Sequence, residues 1–93
     1  MKKITLFYLE SCGYCQKAER ALKELTEQNP AYGEIEITRI EESRQPEVAD
    51  RYDYWAVPTF YVGDRKVFEA HIGMSYEDIK AAVKQCLDAA LTA

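Results

Sequence analysis

The sequence predicts an α/β protein in which a four-stranded mixed sheet carries helices on both faces, in the order βαβαββα. Residues 4–9 form an almost continuously apolar run, which is typical of a central strand covered on both faces. An amphipathic segment and a second strand-like run follow it. The second half of the chain contains a hairpin pattern and a final helical pattern. A parallel pair from the first half, joined to an antiparallel hairpin from the second, gives the mixed sheet.

The first half of the chain predicts a strand, a helix and a second strand. The helix begins near Cys15 and ends at Asn29-Pro30, because proline disfavours helical geometry in the residue before it. Its apolar stripe comprises Ala18, Ala21, Leu22 and Leu25. Residues 34–40 begin with an alternation of Glu and Ile, which predicts a strand less completely buried than the first. This order indicates a right-handed parallel crossover.

A short helix and a loop are predicted next. The acidic pair Glu41-Glu42 is expected in a solvated loop ahead of this helix. Pro46 is a favourable first helical residue, since proline lacks the backbone N–H that would be unpaired there. The face of the helix that packs comprises Val48, Ala49 and Tyr52. Residues 54–58 then form a loop.

The remaining residues predict a hairpin and a long helix. Two strand-like runs, residues 59–62 and 66–72, are separated by the turn at residues 63–65. Ser75 and Asp78 form a capping box that opens the last helix. The apolar stripe of this helix comprises Ile79, Ala82, Val83, Cys86, Leu87, Ala90 and Leu91.

Length and composition predict one folded domain spanning residues 1–93. Apolar residues make up 47% of the chain and charged residues 30%, proportions typical of a globule and not of a disordered chain. The net charge of −4, with no cluster of Lys and Arg, argues against nucleic acid as a partner. We find neither a signal peptide nor an apolar run long enough to span a bilayer, so we expect a cytoplasmic monomer with no membrane partner.

Two thiols in the pattern Cys12-Gly13-Tyr14-Cys15 lie where the first strand turns into the first helix. Residues three apart lie on one side of a helix, which brings them close to the Cα separation that a disulfide needs, ~4.4–6.8 Å. The pair can therefore form and break a disulfide with little backbone movement. The free N–H groups of a helix N-terminus favour a thiolate, so Cys12 is the candidate nucleophile.

Neighbouring groups are expected to modulate this thiolate. The N–H groups of the first helical turn and the thiol of Cys15 are the expected hydrogen-bond donors. Lys17 and Arg20 add positive charge on the helix, whereas Glu10 works against the thiolate. The balance predicts a moderately activated thiol.

The two cysteines also permit a structural or zinc-binding interpretation. Tetrahedral zinc would need two more ligands, and only His71 and Cys86 remain, at unsuitable spacing. Cys86 lies on an apolar helical stripe and is expected in the core, and His71 is expected at the surface. We therefore predict no metal site.

Two motifs in this order of elements carry a resemblance to a known family. They are Cys12-Gly13-Tyr14-Cys15 at the turn from strand to helix, and Val57-Pro58-Thr59 ahead of the hairpin. From about Lys3 to Leu91 the chain resembles the thioredoxin-like superfamily, specifically its small thioredoxin and glutaredoxin members. The resemblance implies a single thioredoxin-like domain of glutaredoxin size.

The resemblance implies a dithiol–disulfide oxidoreductase that reduces protein or small-molecule disulfides. Cys12 would attack the substrate disulfide, and Cys15 would resolve the mixed disulfide that results. The peptide bond before Pro58 would be cis and lie beside the dithiol, and the backbone of Val57 would pair with an extended substrate. The substrate-binding residues that it implies are Gly13, Tyr14, Val57, Pro58, Thr59 and Gly73.

The sequence leaves two electron donors open. A thioredoxin-reductase-type flavoenzyme or glutathione would recharge the redox-active Cys12–Cys15 disulfide, and no bound cofactor is required. Glu10 and Ser11 stand where glutaredoxins commonly have a basic residue, and Glu10 would repel the glutathione carboxylates. The alternative function is glutathione-dependent binding of an iron–sulfur cluster through Cys12, which the resolving Cys15 and the poor glutathione site disfavour.

The aromatic residues near the dithiol permit either an apolar rim that accepts a partner's side chains or ordinary packing of amphipathic rings: Tyr8, Tyr14, Tyr54 and Trp55. Tyr14 and Trp55 are favoured for this rim, whereas Tyr8 is expected in the core. Leu6 stands where thioredoxins usually bury an acidic residue.

Overall fold

The computed structural model describes residues 1–92 and contains the predicted four-stranded mixed sheet. Its strands are β1 (Ile4–Tyr8), β2 (Ile37–Glu41), β3 (Thr59–Val62) and β4 (Arg65–Glu69), and its α-helices are α1 (Gly13–Gln28), α2 (Pro46–Ala49) and α3 (Tyr76–Thr92). The strand order is β2-β1-β3-β4, with β1 parallel to β2 and antiparallel to β3, and with β3 antiparallel to β4. The predicted α/β class is confirmed.

The sheet buries both of its faces, as the apolar run in β1 predicts. Ile4 and Leu6 point into a core shared with α1 and α3, whereas Phe7 points to the opposite face. On that face a smaller cluster comprises Phe7, Ile40, Ala49 and Tyr61. The ring of Tyr52 lies 4.6 Å from that of Phe7, centroid to centroid. Helices therefore cover the sheet on both sides.

The prediction of a strand over residues 34–40 is wrong at its beginning. Residues Pro30–Glu34 form a 3₁₀ helix, and β2 starts only at Ile37. Asn29 is the reason, because its Oδ1 accepts the N–H of Ala31 at 3.3 Å and Pro30 fixes a helical φ at the next position. The local turn chemistry thus overrides the Glu and Ile alternation. β2 lies at the sheet edge and is less buried than β1, as predicted.

The prediction of a strand over residues 66–72 is wrong at its end. β4 stops at Glu69, which pairs with Thr59, the first residue of β3. The N–H of Ala70 donates to the Pro58 carbonyl at 3.0 Å, and no further residue of β3 remains to pair with the chain. Ile72 consequently lies outside the sheet and is 93% exposed.

The boundaries of α1 and α3 follow the predicted signals, whereas α2 ends before Tyr52, which was predicted on its packing face. α1 begins at Gly13 and ends before Asn29, and α2 is a single turn ending at Ala49. The capping box of α3 is confirmed: the Ser75 N–H donates to Asp78 Oδ2, and the Asp78 N–H donates to Ser75 Oγ, each at 3.0 Å. Within residues 1–92, no helix is long and apolar enough to cross a membrane.

Candidate functional site

Cys12 is the N-cap residue of α1. Its backbone is extended, with φ −85° and ψ 119°, and its Sγ accepts the N–H of Cys15 at 3.2 Å. The N–H of Cys12 donates to the Leu9 carbonyl at 3.1 Å, which fixes the turn that leads from β1 into the helix. The expectation that a first-turn amide donates to this sulfur is confirmed.

The two sulfurs differ in environment. Cys12 is half-buried, whereas Cys15 is only 3% exposed one turn further along the helix. Burial, together with the hydrogen bond to Cys12, raises the pKa of the Cys15 thiol to about 12. Cys12, Cys15 and Cys86 are all free thiols in this structure. The arrangement therefore presents one accessible sulfur with a protonated thiol behind it.

The loop before β3 lies against this pair. The bond between Val57 and Pro58 is cis, which confirms the geometry that the family resemblance implies. The Cys12 thiol lies 3.8 Å from the carbonyl oxygen of Val57. Pro58 is buried, and the Thr59 hydroxyl donates to the Ala56 carbonyl at 2.6 Å. The structure thus brings the two predicted motifs together.

Tyr14 connects the dithiol turn to the loop that follows β4. Its hydroxyl accepts the N–H of Gly73 at 2.9 Å, and the Nζ of Lys17 lies 5.5 Å from its ring centroid. Gly73 has a φ of +96°, a conformation that a side chain rarely adopts. Gly13 has an ordinary φ, and a Cβ atom added to it would meet no other atom within 4 Å. All predicted site residues lie on these three neighbouring segments.

The charges predicted to tune Cys12 have partners of their own. The guanidinium of Arg20 lies 4.3 Å from the ring centroid of Tyr76 on α3 and pairs with Glu24, one turn further along α1, at 3.6 Å. Glu10 forms an exposed ion pair with Arg44 at 2.5 Å. Arg44 therefore offsets the negative charge of Glu10 close to the dithiol turn.

The prediction of a solvated loop at Glu41-Glu42 is wrong at Glu41, whereas Glu42 lies in a turn and is half-buried. Glu41 ends β2 and is 6% exposed; its Oε2 accepts the N–H of Glu10 at 3.1 Å, and its Oε1 accepts the N–H and the hydroxyl of Ser43 at 2.7 and 2.6 Å. The hydrogen bonds from Ser43 and then from the Glu10 amide lower the pKa of Glu41 below its ordinary value. Glu42 accepts the hydroxyl of Tyr54 at 2.8 Å. Glu41 thus anchors the segment that leads to Cys12.

The aromatic residues divide between surface and core. Trp55 is 93% exposed, as a rim residue would be. Tyr54 stacks on Phe7 with ring centroids 4.8 Å apart. Tyr8 is half-buried and lines a groove beside Cys15, so the prediction that it belongs to the core is wrong.

The remaining metal-ligand candidates, Cys86 and His71, differ in burial. Cys86 is fully buried on α3, as predicted, and burial raises its pKa to about 12. His71 is exposed, as predicted, and its Nδ1 lies 3.2 Å from the Ile72 carbonyl oxygen. In residues 1–92, no group of three or more His, Cys, Asp or Glu side chains could hold a metal ion.

A half-buried N-cap cysteine, a buried cysteine one turn later and an adjacent cis-proline loop define a thioredoxin-like dithiol protein. Comparison with known proteins gives the family. The family model described as Glutaredoxin matches residues 4–67. The chain therefore belongs to the glutaredoxin family.

Solved structures of thioredoxins show the same fold. The chain is similar to mitochondrial thioredoxin 3 from Saccharomyces cerevisiae, with 25% identity, a TM-score of 0.60, and coverage of 90% of this chain and 77% of that one. It is also similar to a thioredoxin-like protein from Clostridium perfringens, with 25% identity, a TM-score of 0.55, and coverage of 92% and 71%. A search of curated protein sequences found no match. Family and fold support a thiol–disulfide redox function in general terms.

Proposed function

We propose that this protein is a dithiol–disulfide oxidoreductase that reduces protein or small-molecule disulfides. The observation that carries the proposal is the accessible Cys12 sulfur, hydrogen-bonded at the helix N-terminus, with the protonated thiol of Cys15 one turn behind it. This pairing separates a nucleophile from a resolving group. Its relatives by family and fold are glutaredoxins and thioredoxins.

The proposed reaction has two thiol–disulfide exchanges. The Cys12 thiolate attacks one sulfur of the substrate disulfide, forms a mixed disulfide and releases the other substrate sulfur as a thiolate, which takes up a proton. Cys15 then loses its proton and attacks the Cys12 sulfur, which forms the Cys12–Cys15 disulfide and releases the second substrate thiol. The substrate gains two electrons and two protons, and the protein dithiol loses them.

The substrate would lie along the segments that surround Cys12. We propose Gly13, Tyr14, Val57, Pro58, Thr59 and Gly73 as its binding residues. The short distance between Cys12 and the Val57 carbonyl supports this placement, because a substrate sulfur bound to Cys12 would lie beside the loop backbone. Trp55 would offer its exposed ring to an apolar side chain of the partner.

We further propose that the protein acts as a cytoplasmic monomer, without a bound cofactor, and takes its electrons from a reductase or from glutathione. The exposed carboxylate of Glu10 would repel the carboxylates of glutathione, although its ion pair with Arg44 weakens that repulsion. The repulsion that remains disfavours glutathione and favours a flavoenzyme as the electron donor.

The experiment supplies the oxidised protein with NADPH and thioredoxin reductase, or with glutathione, glutathione reductase and NADPH. Insulin and a low-molecular-weight disulfide serve as substrates, and Cys12→Ser and Cys86→Ser are matched variants. We expect NADPH oxidation that depends on the protein and is lost in Cys12→Ser but not in Cys86→Ser. No protein-dependent NADPH oxidation with either donor and either substrate would contradict the proposal. Visible absorbance typical of an iron–sulfur cluster, measured after anaerobic purification, would favour the alternative function.

A further inference from the structure

Glu69, the last residue of β4, directs its carboxylate at the loop that precedes Pro58. Its Oε2 accepts the backbone N–H of Trp55 at 2.5 Å and that of Ala56 at 2.7 Å. These amides belong to the two residues immediately before the cis Val57–Pro58 unit. One carboxylate oxygen therefore holds two consecutive amides of the loop that faces Cys12.

The other oxygen of Glu69 is fixed from within the hairpin. Its Oε1 pairs with the Nζ of Lys66 at 2.8 Å, and the Glu69 side chain is 20% exposed. Burial alone would raise the pKa of Glu69, but hydrogen bonds from Lys66, Trp55 and Ala56 hold it below its ordinary value. The group is thus an ionised carboxylate at neutral pH, the form that makes the stronger hydrogen bonds to amides.

The segment before β3 is also tied to the sheet elsewhere. The hydroxyl of Tyr61 on β3 accepts the Asp53 N–H at 3.2 Å and donates to the Asp53 carbonyl at 2.8 Å. The Thr59 hydroxyl donates to the Ala56 carbonyl at 2.6 Å, and the Ala70 N–H donates to the Pro58 carbonyl at 3.0 Å. The bonds from Thr59 and Ala70 hold carbonyl groups, whereas Glu69 holds two amides. Glu69 therefore restrains the Trp55 and Ala56 amides, which none of these other bonds reaches.

We propose that Glu69 is a positioning residue, which acts through the Trp55-Ala56 amides to hold the Val57 backbone in register with the Cys12 sulfur. It does not touch the reacting sulfurs. The 3.8 Å distance from Cys12 to the Val57 carbonyl depends on where this segment lies, and so does the surface on which a disulfide substrate would be aligned. The effect on turnover rests on the proposed function, whereas the effect on the loop does not.

A set of variants separates the loop contact from the ion pair. Glu69→Ala removes both, Lys66→Met removes only the ion pair, and Glu69→Gln keeps a carbonyl oxygen that both amides can share. Glu69→Thr serves if the alanine variant does not fold, because Thr favours strands and its hydroxyl is too short to reach the loop. Glu36→Gln is the charge-matched control. Glu36 is exposed and its backbone carbonyl accepts the N–H of Ile4, at the end of β1 away from the Pro58 loop.

The first measurement is hydrogen exchange of the Trp55 and Ala56 amides in the reduced protein, followed by NMR. Loss of a charge-assisted acceptor predicts exchange about tenfold or more faster in Glu69→Ala or Glu69→Thr. Exchange within about threefold of wild type is expected for Lys66→Met and Glu36→Gln. Glu69→Gln keeps a neutral acceptor, so its exchange should lie between those of wild type and Glu69→Ala. Trp55 is the one tryptophan of the chain, so a change in its fluorescence is expected in the same two variants that lose protection.

The second measurement is the reduction of insulin disulfides. We expect KM to rise about tenfold in Glu69→Ala with kcat within about twofold of wild type, and Glu69→Gln to restore most of the difference. Unchanged amide protection in both Glu69→Ala and Glu69→Thr would overturn the proposal. So would equal effects of Glu69→Ala, Glu69→Gln and Lys66→Met, since these would assign the role to the ion pair. Inactive wild-type protein would count against the proposed function alone, because the exchange measurement does not depend on activity.

Discussion

The sulfur of Cys12 accepts the backbone N–H of Cys15 at 3.2 Å, so one hydrogen bond both caps α1 and restrains the candidate nucleophile. Helices more often use a Ser, Thr, Asp or Asn oxygen at this position. A thiolate at the same place accepts the amide and meets the positive end of the helix dipole. Because the donor belongs to Cys15, the cap also fixes how the two cysteines lie relative to each other.

Alkylation should distinguish the three thiols. Burial raises the pKa values of Cys15 and Cys86 to about 12, and both side chains are shielded from solvent, whereas Cys12 is half-buried. With iodoacetamide at about pH 8, Cys12 should react at least about a hundredfold faster than the other two, because the thiolate is the reacting form. Mass spectrometry of the modified peptides checks this result, and protein unfolded in urea should react at all three. Equal labelling of Cys12 and Cys15 in the folded protein would contradict it.

Two glycines of the site should respond differently to alanine. Gly73 has a φ of +96°, so Gly73→Ala should lower the free energy of unfolding by about 1–3 kcal/mol. Gly13 is the first residue of α1, with open space around it and an ordinary φ, so Gly13→Ala should raise the free energy of unfolding by about 0.4–1 kcal/mol. Urea denaturation of the reduced variants measures both changes. Similar changes for the two variants would show that backbone strain at Gly73 is not the cause.

The stability of the protein should depend on the ionisation of Glu41. Its pKa is lowered from 4.5 in the folded state, mainly by the hydrogen bonds from Ser43 and the Glu10 amide. A lowered folded pKa means that its contribution is complete above the unfolded value and is lost as pH falls through the folded value. Glu41→Gln should therefore be less stable than wild type at pH 7, and the difference should shrink below about pH 4.5.

Urea denaturation between about pH 3 and pH 7 tests this dependence, with Glu36→Gln as the control for loss of an exposed carboxylate. The control should follow the wild-type curve. A difference between Glu41→Gln and wild type that stays constant over this range would mean that Glu41 stabilises the fold without ionising.

The sequence predicted those parts of the fold that depend on local patterns. The apolar run of β1, the helix stop at Asn29 and the capping box of α3 are all visible in short stretches of sequence. The errors arose where one local signal opposed another or where a distant partner decided. The 3₁₀ helix after Asn29 overrode an alternating pattern, and β4 ended at Glu69 because its partner strand began at Thr59.

The candidate site was predictable to a similar extent. The two motifs with Cys12 and Pro58 were recognisable because each is contiguous. Glu41 and Glu69 were missed because their partners, the amides of Glu10 and Trp55, lie 31 and 14 residues away. A glutamate near a charged or polar neighbour is usually solvated, and no local pattern distinguishes one that folds back onto a loop.

Trapping of a mixed disulfide distinguishes the nucleophilic cysteine from the resolving one. Reduced Cys15→Ser and Cys12→Ser proteins are mixed with insulin or a disulfide-linked peptide, and the products are resolved by non-reducing mass spectrometry. We expect Cys15→Ser to accumulate an adduct on Cys12 that dithiothreitol releases. Cys12→Ser should accumulate none, because Cys15 is buried and protonated. An adduct on Cys15 in Cys12→Ser, or no adduct on Cys12 in Cys15→Ser, would contradict the assignment of Cys12 as nucleophile and Cys15 as resolving thiol.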